Sequence, residues 1–346
     1  MLIDRNGLGL FLKGVVRMED YGKLIRMRSL YAPAYCTIEL THCCNFQCHH
    51  CYIDQKYRTN QEMTTKEIMN LLNQIKDLGV KSLALSGGEP LLREDIFEII
   101  AYAKELGFFV TLFSNGSLID EYKAKRLKSV GLDAVNISLY GTSERIYEAV
   151  TAKRAFTNTI SALRYLKDEN IIVNCGTVAL RYNAECLADL FEFCKKNGFI
   201  ARETTLFEFA IYRIIAREER QIDSRMTDVQ FEEFFKIDSR YSNFFKHTCN
   251  ALRGKLVIKP NGDIIPCTPW PESYGNCKET NIGALWKSSK AQHFRKKEYV
   301  FEICENCGFK KYCDICIASI EIETPNSKIP PKETCRIAKI KAKVYG

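Results

Sequence analysis

Residues 44–51 read CNFQCHHC, which puts three cysteines and two histidines into eight positions. Cysteines at i, i+4 and i+7 can lie along one side of a short loop and share a metal, yet three thiolates are one fewer than a closed structural site uses. Two chemistries answer that shortage. A zinc ion could take His42, His49 or His50 as its fourth ligand, although the spacing C-x3-C-x2-C fits zinc modules poorly. A 4Fe–4S cluster held by Cys44, Cys48 and Cys51 would instead leave one iron open to an exogenous ligand.

A second set lies downstream: Cys249, Cys267, Cys277, Cys304, Cys307, Cys313, Cys316 and Cys335. Its middle, CENCGFKKYCDIC, would serve alone as a zinc ribbon. The eight thiolates together also suffice for two closed four-cysteine clusters. Cys36, Cys43, Cys175, Cys186 and Cys194 remain, and free cysteine behaves mostly as a small buried apolar residue.

The elements that must position these residues follow a β/α alternation. Strand patterns fall at 34–41, 81–87, 108–116, 134–141, 171–180 and 199–209. Helical patterns lie between them, such as TTKEIMNLLNQIKDLG, with Ile68, Leu71, Leu72, Ile75 and Leu78 on one face and a threonine cap. Such alternation argues for a parallel sheet. Six units fall short of an eight-fold barrel, so the expected fold is α/β, a partial (β/α)6 TIM-like barrel. In β/α barrels the loops after the strands carry the chemistry, and CNFQCHHC follows the first strand.

The expected organisation is an N-terminal extension over 1–33, the barrel over 34–210, a charged helical bridge over 211–248 and a cysteine-rich domain over 249–346. This last segment is poor in apolar residues and would need metal to stay folded. With 46% apolar and 27% charged residues the chain reads as globular. GLGLFLKGVV near the start is short, interrupted by Lys13 and followed by no cleavage signal, and no run is long enough to cross a bilayer. A cytoplasmic, non-membrane protein is expected, in a compartment that keeps thiols reduced, so sixteen cysteines point to metal rather than disulfides. The formal charge of +8 is dispersed along the chain, which argues against nucleic-acid binding.

Two further motifs separate the metal readings. SGGEP (86–90) ends the second strand and ISLYG (137–141) ends the fourth. With CNFQCHHC in front of them, residues 34–210 resemble the radical S-adenosylmethionine (SAM) superfamily. The resemblance implies a 4Fe–4S cluster on Cys44, Cys48 and Cys51 whose open iron chelates SAM, with reductive cleavage giving a 5′-deoxyadenosyl radical that abstracts hydrogen from substrate. It also implies that Gly87, Gly88 and Glu89 form the turn for the SAM amino group. Ser138 is then a candidate for the carboxylate, Asn115 in FSNG for the ribose, and His50 for a ring near the adenine. Arg154 in EAVTAKRAF is a candidate clamp for the carboxylate.

The downstream cysteines resemble the SPASM extension of the same superfamily, with Gly262 and Cys267 giving its G-x4-C and with Cys313 and Cys316 one residue closer than its pattern. The resemblance implies two auxiliary 4Fe–4S clusters, one on Cys249, Cys267, Cys277 and Cys316, the other on Cys304, Cys307, Cys313 and Cys335. Three clusters on eleven thiolates would contribute roughly −5 to the charge, leaving the loaded protein only mildly basic.

The function so implied is oxidative modification of a peptide or protein side chain, a crosslink or an oxidation, in a ribosomally made precursor. A separate leader-binding protein is expected to assist, because only 33 residues precede the first strand. The alternatives are a radical SAM oxidase acting on a small molecule such as a tetrapyrrole or an aminosugar, or a peptide epimerase in which a lumen-facing Cys175 donates hydrogen. Glu39, opposite in parity to Cys36 and Ile38, is a candidate lumen carboxylate. Flavodoxin or ferredoxin is the expected electron donor, and the basic tail RIAKIKAKVYG is a candidate dock for an acidic partner.

Overall fold

The computed structural model describes residues 33, 35–53, 61–199, 208–211, 219–238, 251, 254–268, 270, 272–296, 301–325 and 328–346. The expected N-terminal extension, most of the final 199–209 strand pattern and Cys249 lie outside them.

Six strands run in the order of the expected units: β1 (Tyr35–Thr41), β2 (Ser82–Gly87), β3 (Phe109–Ser114), β4 (Ala134–Ser138), β5 (Ile172–Val178) and β6 (Glu208–Ile211). Each pairs in parallel with the next. The intervening helices are α1 (Thr65–Asp77), α2 (Ile96–Glu105), α3 (Glu121–Ser129), α4 (Glu144–Thr151), α5 (Phe156–Asp168) and α6 (Leu187–Lys196). Helix α1 starts where the sequence places it, because Thr64 and Glu67 cap each other reciprocally, and it buries Ile68, Leu71, Leu72 and Ile75. A parallel sheet needs such a crossover between neighbouring strands.

The two faces of the sheet are chemically opposite. Cys36, Ile38, Leu40, Leu83, Leu85, Val110, Leu112, Val135, Ile137 and Val173 are buried in the core shared with the helices. Alternate residues turn to the other side, the lumen. There Glu39 stands beside Ser86, Phe113 beside Asn136, Asn136 beside Asn174 and Ser138 beside Gly176. The lumen side is thus mostly small and polar.

A seventh parallel strand, β7 (Lys255–Ile258), pairs with β1, and β8 (Ile264–Ile265) returns antiparallel to it, giving the order β6-β5-β4-β3-β2-β1-β7-β8. The cysteine-rich region therefore extends the barrel sheet. It also has an apolar cluster of its own, in which Val257, Ile265, Trp270 and Ala318 are buried with Cys267 and Cys316 packed against them.

The bridge supplies α7 (Glu219–Asp223) and α8 (Asp228–Asp238), and the C-terminal region α9 (Ile282–Lys287), α10 (Ser289–Lys296), α11 (Ile317–Glu323) and α12 (Lys332–Tyr345). The basic tail is α12, and much of its charge is used within the chain. Arg336 bonds Glu333 and Asp228, Lys341 bonds Asp314, and Lys343 bonds Glu232. Its other face buries Ile337 and Ile340 with Phe231, Phe234 and Phe235 of α8. The tail is amphipathic, so its apolar stripe takes it to the surface of α8, in place of the expected dock for an acidic partner. Phe235→Ala at this junction is expected to cost about 3–5 kcal/mol, read as a lower urea midpoint together with proteolytic release of α12.

Candidate SAM and cluster site

The loop after β1 carries Cys44, Cys48 and Cys51, all partly exposed, and its main chain is fastened on three sides. From β2, the amides of Gly88 and Glu89 donate to the carbonyls of Thr41 (2.7 Å) and Cys43 (2.8 Å). From α4, the carbonyls of Thr151 and Val150 accept from the amides of Gln47 (3.2 Å) and His49 (3.1 Å). From α7, the Arg220 guanidinium donates to the carbonyls of Cys48 (3.0 Å), His49 (3.2 Å) and Cys51 (3.1 Å), and Gln221 donates to Cys51 at 2.8 Å. Within the loop, Phe46 is buried against the edge of Tyr147. No sequence signal marked Arg220 or Gln221, which sit about 170 positions away in a charged helix.

The two glycines of SGGEP are explained by this fastening. A Cβ at Gly87 would stand 2.2 Å from the Thr41 carbonyl oxygen, and one at Gly88 would stand 2.2 Å from that of Cys43. Gly87 also has a φ of 139°, which side chains rarely adopt. The close approach is to the loop backbone, so the turn and the cysteine loop are one packed unit.

Glu89 faces inward and is fully buried. Its carboxylate accepts from Leu91 N (3.1 Å), Ser114 Oγ (2.9 Å) and Asn115 N (2.8 Å), which ties the β2 turn to the end of β3. Burial pushes its carboxyl up to about 7, against the pull of these three donors.

Asn115 continues the chain of contacts. Its Nδ2 donates to Asn45 Oδ1 (2.8 Å), while its Oδ1 accepts from Ser117 N and Oγ. The carboxamide oxygen is thus taken up inside the protein, in a triad with Asn45 and Ser117 that holds the cysteine loop from a fourth side. Ser138 ends β4 on the lumen side, and its main-chain carbonyl accepts from the Tyr147 phenol at 3.1 Å. His50 meets Tyr140 edge-on, with ring centroids 5.0 Å apart, and its shielded Nδ1 has no partner. Burial first, then the charges of Arg220 and His49, lowers the His50 pKa to about 3, so this imidazole is neutral. Arg154 is 75% exposed and stands near Glu148, away from this group; it follows the left-handed Ala152 that ends α4, which turns the chain outward.

Of the leftover cysteines, Cys36, Cys175, Cys186 and Cys194 are buried and Cys43 is exposed. Cys175 pairs in register with Ile137 and is buried in the same core as Cys194 of α6, so it lies on the helix side of the sheet. The lumen position that a hydrogen donor would need is not the one it holds.

Downstream, Cys267 and Cys316 share the small core. Burial first, then the neighbouring thiols of Cys335 and Cys307, raises the Cys304 pKa, which brings these three into one neighbourhood. Cys313 follows the turn Lys310–Tyr312. The Cys277 thiol faces Met63 Sδ at 3.9 Å and is buried in the main core. The amide of Cys277 bonds the Gly262 carbonyl, next to the bridge between Asp263 and Asn276, and this holds it toward α1.

Among the described residues no three His, Cys, Asp or Glu side chains meet at the distances of one ion's ligands. A cubane takes each thiolate on a different iron and does not require that. Three thiols on a loop held by its main chain, a glycine turn, and a shielded imidazole nitrogen without a partner fit a cluster and a polar nucleoside bound together.

An open β/α barrel presenting three thiols at the carboxyl end of β1 defines a cluster-dependent enzyme. Comparison with known proteins agrees. Residues 38–194 match the family model of the radical SAM superfamily, and residues 249–308 match SPASM, an iron-sulfur cluster-binding domain. The chain is 26% identical, over 325 residues, to the AdoMet-dependent heme synthase of Nitratidesulfovibrio vulgaris, with 81% of this chain and 86% of the relative covered. In fold it is similar to native anSMEcpe with bound AdoMet (TM-score 0.70, 17% identity, 90% of this chain and 96% of that one). It is also similar to Streptococcus suis SuiB bound to the precursor peptide SuiA (TM-score 0.64, 18% identity, 91% and 79%). The chain thus carries a radical SAM domain over residues 38–194 and a SPASM domain over residues 249–308.

Two outcomes test this geometry. Gly88→Ala sets a Cβ against backbone that cannot yield; it should cost about 1–3 kcal/mol or more and lower iron retention, read by thermal melting and iron analysis. Glu89 has a raised folded pKa, so its ionisation costs stability above pH 7. That cost is relieved as the pH falls from 7 toward 4.5, by roughly 3 kcal/mol. In Glu89→Gln this pH dependence should vanish from the denaturation midpoint, with a uniform loss from the donor left unmet.

Proposed function

We propose that this enzyme modifies a peptide or protein side chain by hydrogen abstraction, leaving a crosslink or an oxidised residue in a ribosomally made precursor. The observation that carries the reading is the lining of the lumen. On β1 to β5 the lumen-side positions Thr37, Glu39, Ser86, Thr111, Phe113, Asn136, Ser138 and Asn174 include no Lys or Arg. Carboxamides and hydroxyls suit the neutral amides of a peptide. A tetrapyrrole would bring several carboxylates that these positions do not pair. The solved structures of similar fold include SuiB bound to the precursor peptide SuiA and anSMEcpe bound to the Cp18Cys and Kp18Cys peptides.

The second reading, oxidation of a tetrapyrrole side chain, is favoured by the heme synthase, which is similar over most of both chains.

Under the peptide reading, Cys44, Cys48 and Cys51 hold the first 4Fe–4S cluster. When bound, cluster and SAM supply the electron and the 5′-deoxyadenosyl radical for hydrogen abstraction. The chain's part is to place them. The Gly87–Gly88–Glu89 turn and Ser138 receive the amino-acid end of SAM, and neutral His50 offers its Nδ1 beside the nucleoside. Asn115, the candidate for the ribose, would also serve through Asn45, which it bonds to hold the cysteine loop. Two auxiliary clusters are assigned to Cys249, Cys267, Cys277 and Cys316, and to Cys304, Cys307, Cys313 and Cys335. The electron donor is assigned to the flavodoxin or ferredoxin class and leader recognition to a separate protein.

Anaerobically reconstituted protein should bind about twelve iron and twelve sulfide per chain. The triple variant of Cys44, Cys48 and Cys51 to Ala should fall to about eight and form no 5′-deoxyadenosine from SAM. Mass spectrometry of a short acidic or Cys-rich precursor with enzyme, SAM and reductant should show loss of two hydrogens. Turnover of a tetrapyrrole with every such peptide unchanged would replace the peptide reading with the second.

A further inference from the structure

Glu39 sits on the lumen side of β1 and is 1% exposed. One of its oxygens, Oε1, accepts two hydroxyls at once, from Tyr52 (2.9 Å) and from Thr268 (3.0 Å). The other, Oε2, lies 3.2 Å from His42 Nε2. A carboxylate only accepts, so both hydroxyls must point at it.

The two hydroxyls come from opposite parts of the chain. Tyr52 follows Cys51 in the loop after β1, and Thr268 follows Cys267 in the segment after β8. A single oxygen atom therefore joins the two cysteine-bearing segments. The sheet sets the same approach from below, since β7 pairs with β1 with Ile38 opposite Ile258. Beyond those strand ends, the Tyr52–Glu39–Thr268 bridge takes over.

We infer that Glu39 is a positioning residue that fixes the Cys267 segment against the Cys44–Cys51 loop and so sets the width of the space between the two metal-binding segments. Its importance for catalysis rests on the assignment of clusters to both segments. Substrate must lie between them, near enough to one to lose hydrogen and to the other to lose an electron. The mechanical linkage does not depend on that assignment.

Hydrogen–deuterium exchange read by mass spectrometry tests the linkage on full-length, anaerobically reconstituted protein, comparing wild type with Thr268→Val, Tyr52→Phe and Glu39→Gln. The reporters are the amides of Gln47, His49 and Cys51 on one side and of Trp270 on the other, each bonded within its own segment or to α4. Thr268→Val should speed exchange at Gln47, His49 and Cys51 about fivefold, the ratio expected for one hydrogen bond of ordinary net worth. Tyr52→Phe should do the same at Trp270, and Glu39→Gln should loosen both sides. The two hydroxyl variants each remove one hydroxyl and leave the buried carboxylate in place, so the test survives if Glu39→Gln fails to fold. Exchange that rises only in the segment bearing the substitution overturns the linkage. Iron and sulfide are counted in the same samples: cluster loss with cross-segment loosening retained removes the catalytic consequence and leaves the linkage standing.

Discussion

A cluster held by Cys44, Cys48 and Cys51 would fasten the loop after β1 at three points only, so the rest of its placement falls to the protein itself. The protein answers with the main chain. Three sides of the loop after β1 are met by neighbours that bond its amides or carbonyls: the β2 turn, the end of α4 and the Arg220–Gln221 pair of α7. None of these contacts consumes a thiol. Precise placement of the reacting groups, on which radical chemistry depends, thus draws on the chain's own hydrogen bonds.

The same constraint explains the polar residues buried near the mouth of the barrel. Glu89 collects donors from two strand ends, and Asn115 passes the restraint to Asn45 inside the loop. A buried carboxylate at an unfavourable pKa is tolerable because its three donors would otherwise be unmet. These side chains act as joinery between loops, and the lumen itself is left to smaller groups.

Much of this was legible in the sequence. The strand patterns end within a few residues of the strands themselves, since parallel strands buried against helices need regular apolar alternation and glycine stops mark the helix ends. The cysteine spacing and SGGEP located the mouth of the barrel. The remainder lies in pairings between distant residues that periodicity does not encode. Nothing local links Thr268 to Glu39 or Arg220 to Cys48, and KLVI at 255–258 is too short to announce itself as a strand beside β1. The tail misled for a simpler reason: its basic residues are visible in sequence, whereas the acids Asp228, Glu232 and Asp314 that meet them come from elsewhere.

The pairing of β7 with β1 has a consequence for how the two halves can exist. In an open sheet the outermost strand presents unpaired amides and carbonyls, and β1 would be that strand if the chain stopped before residue 255. It is seven residues long and carries Cys36, Ile38 and Leu40 on one face. The cysteine-rich region is thus also the cover of a sticky margin, and a barrel without it would invite the β1 of another molecule to take the vacant place.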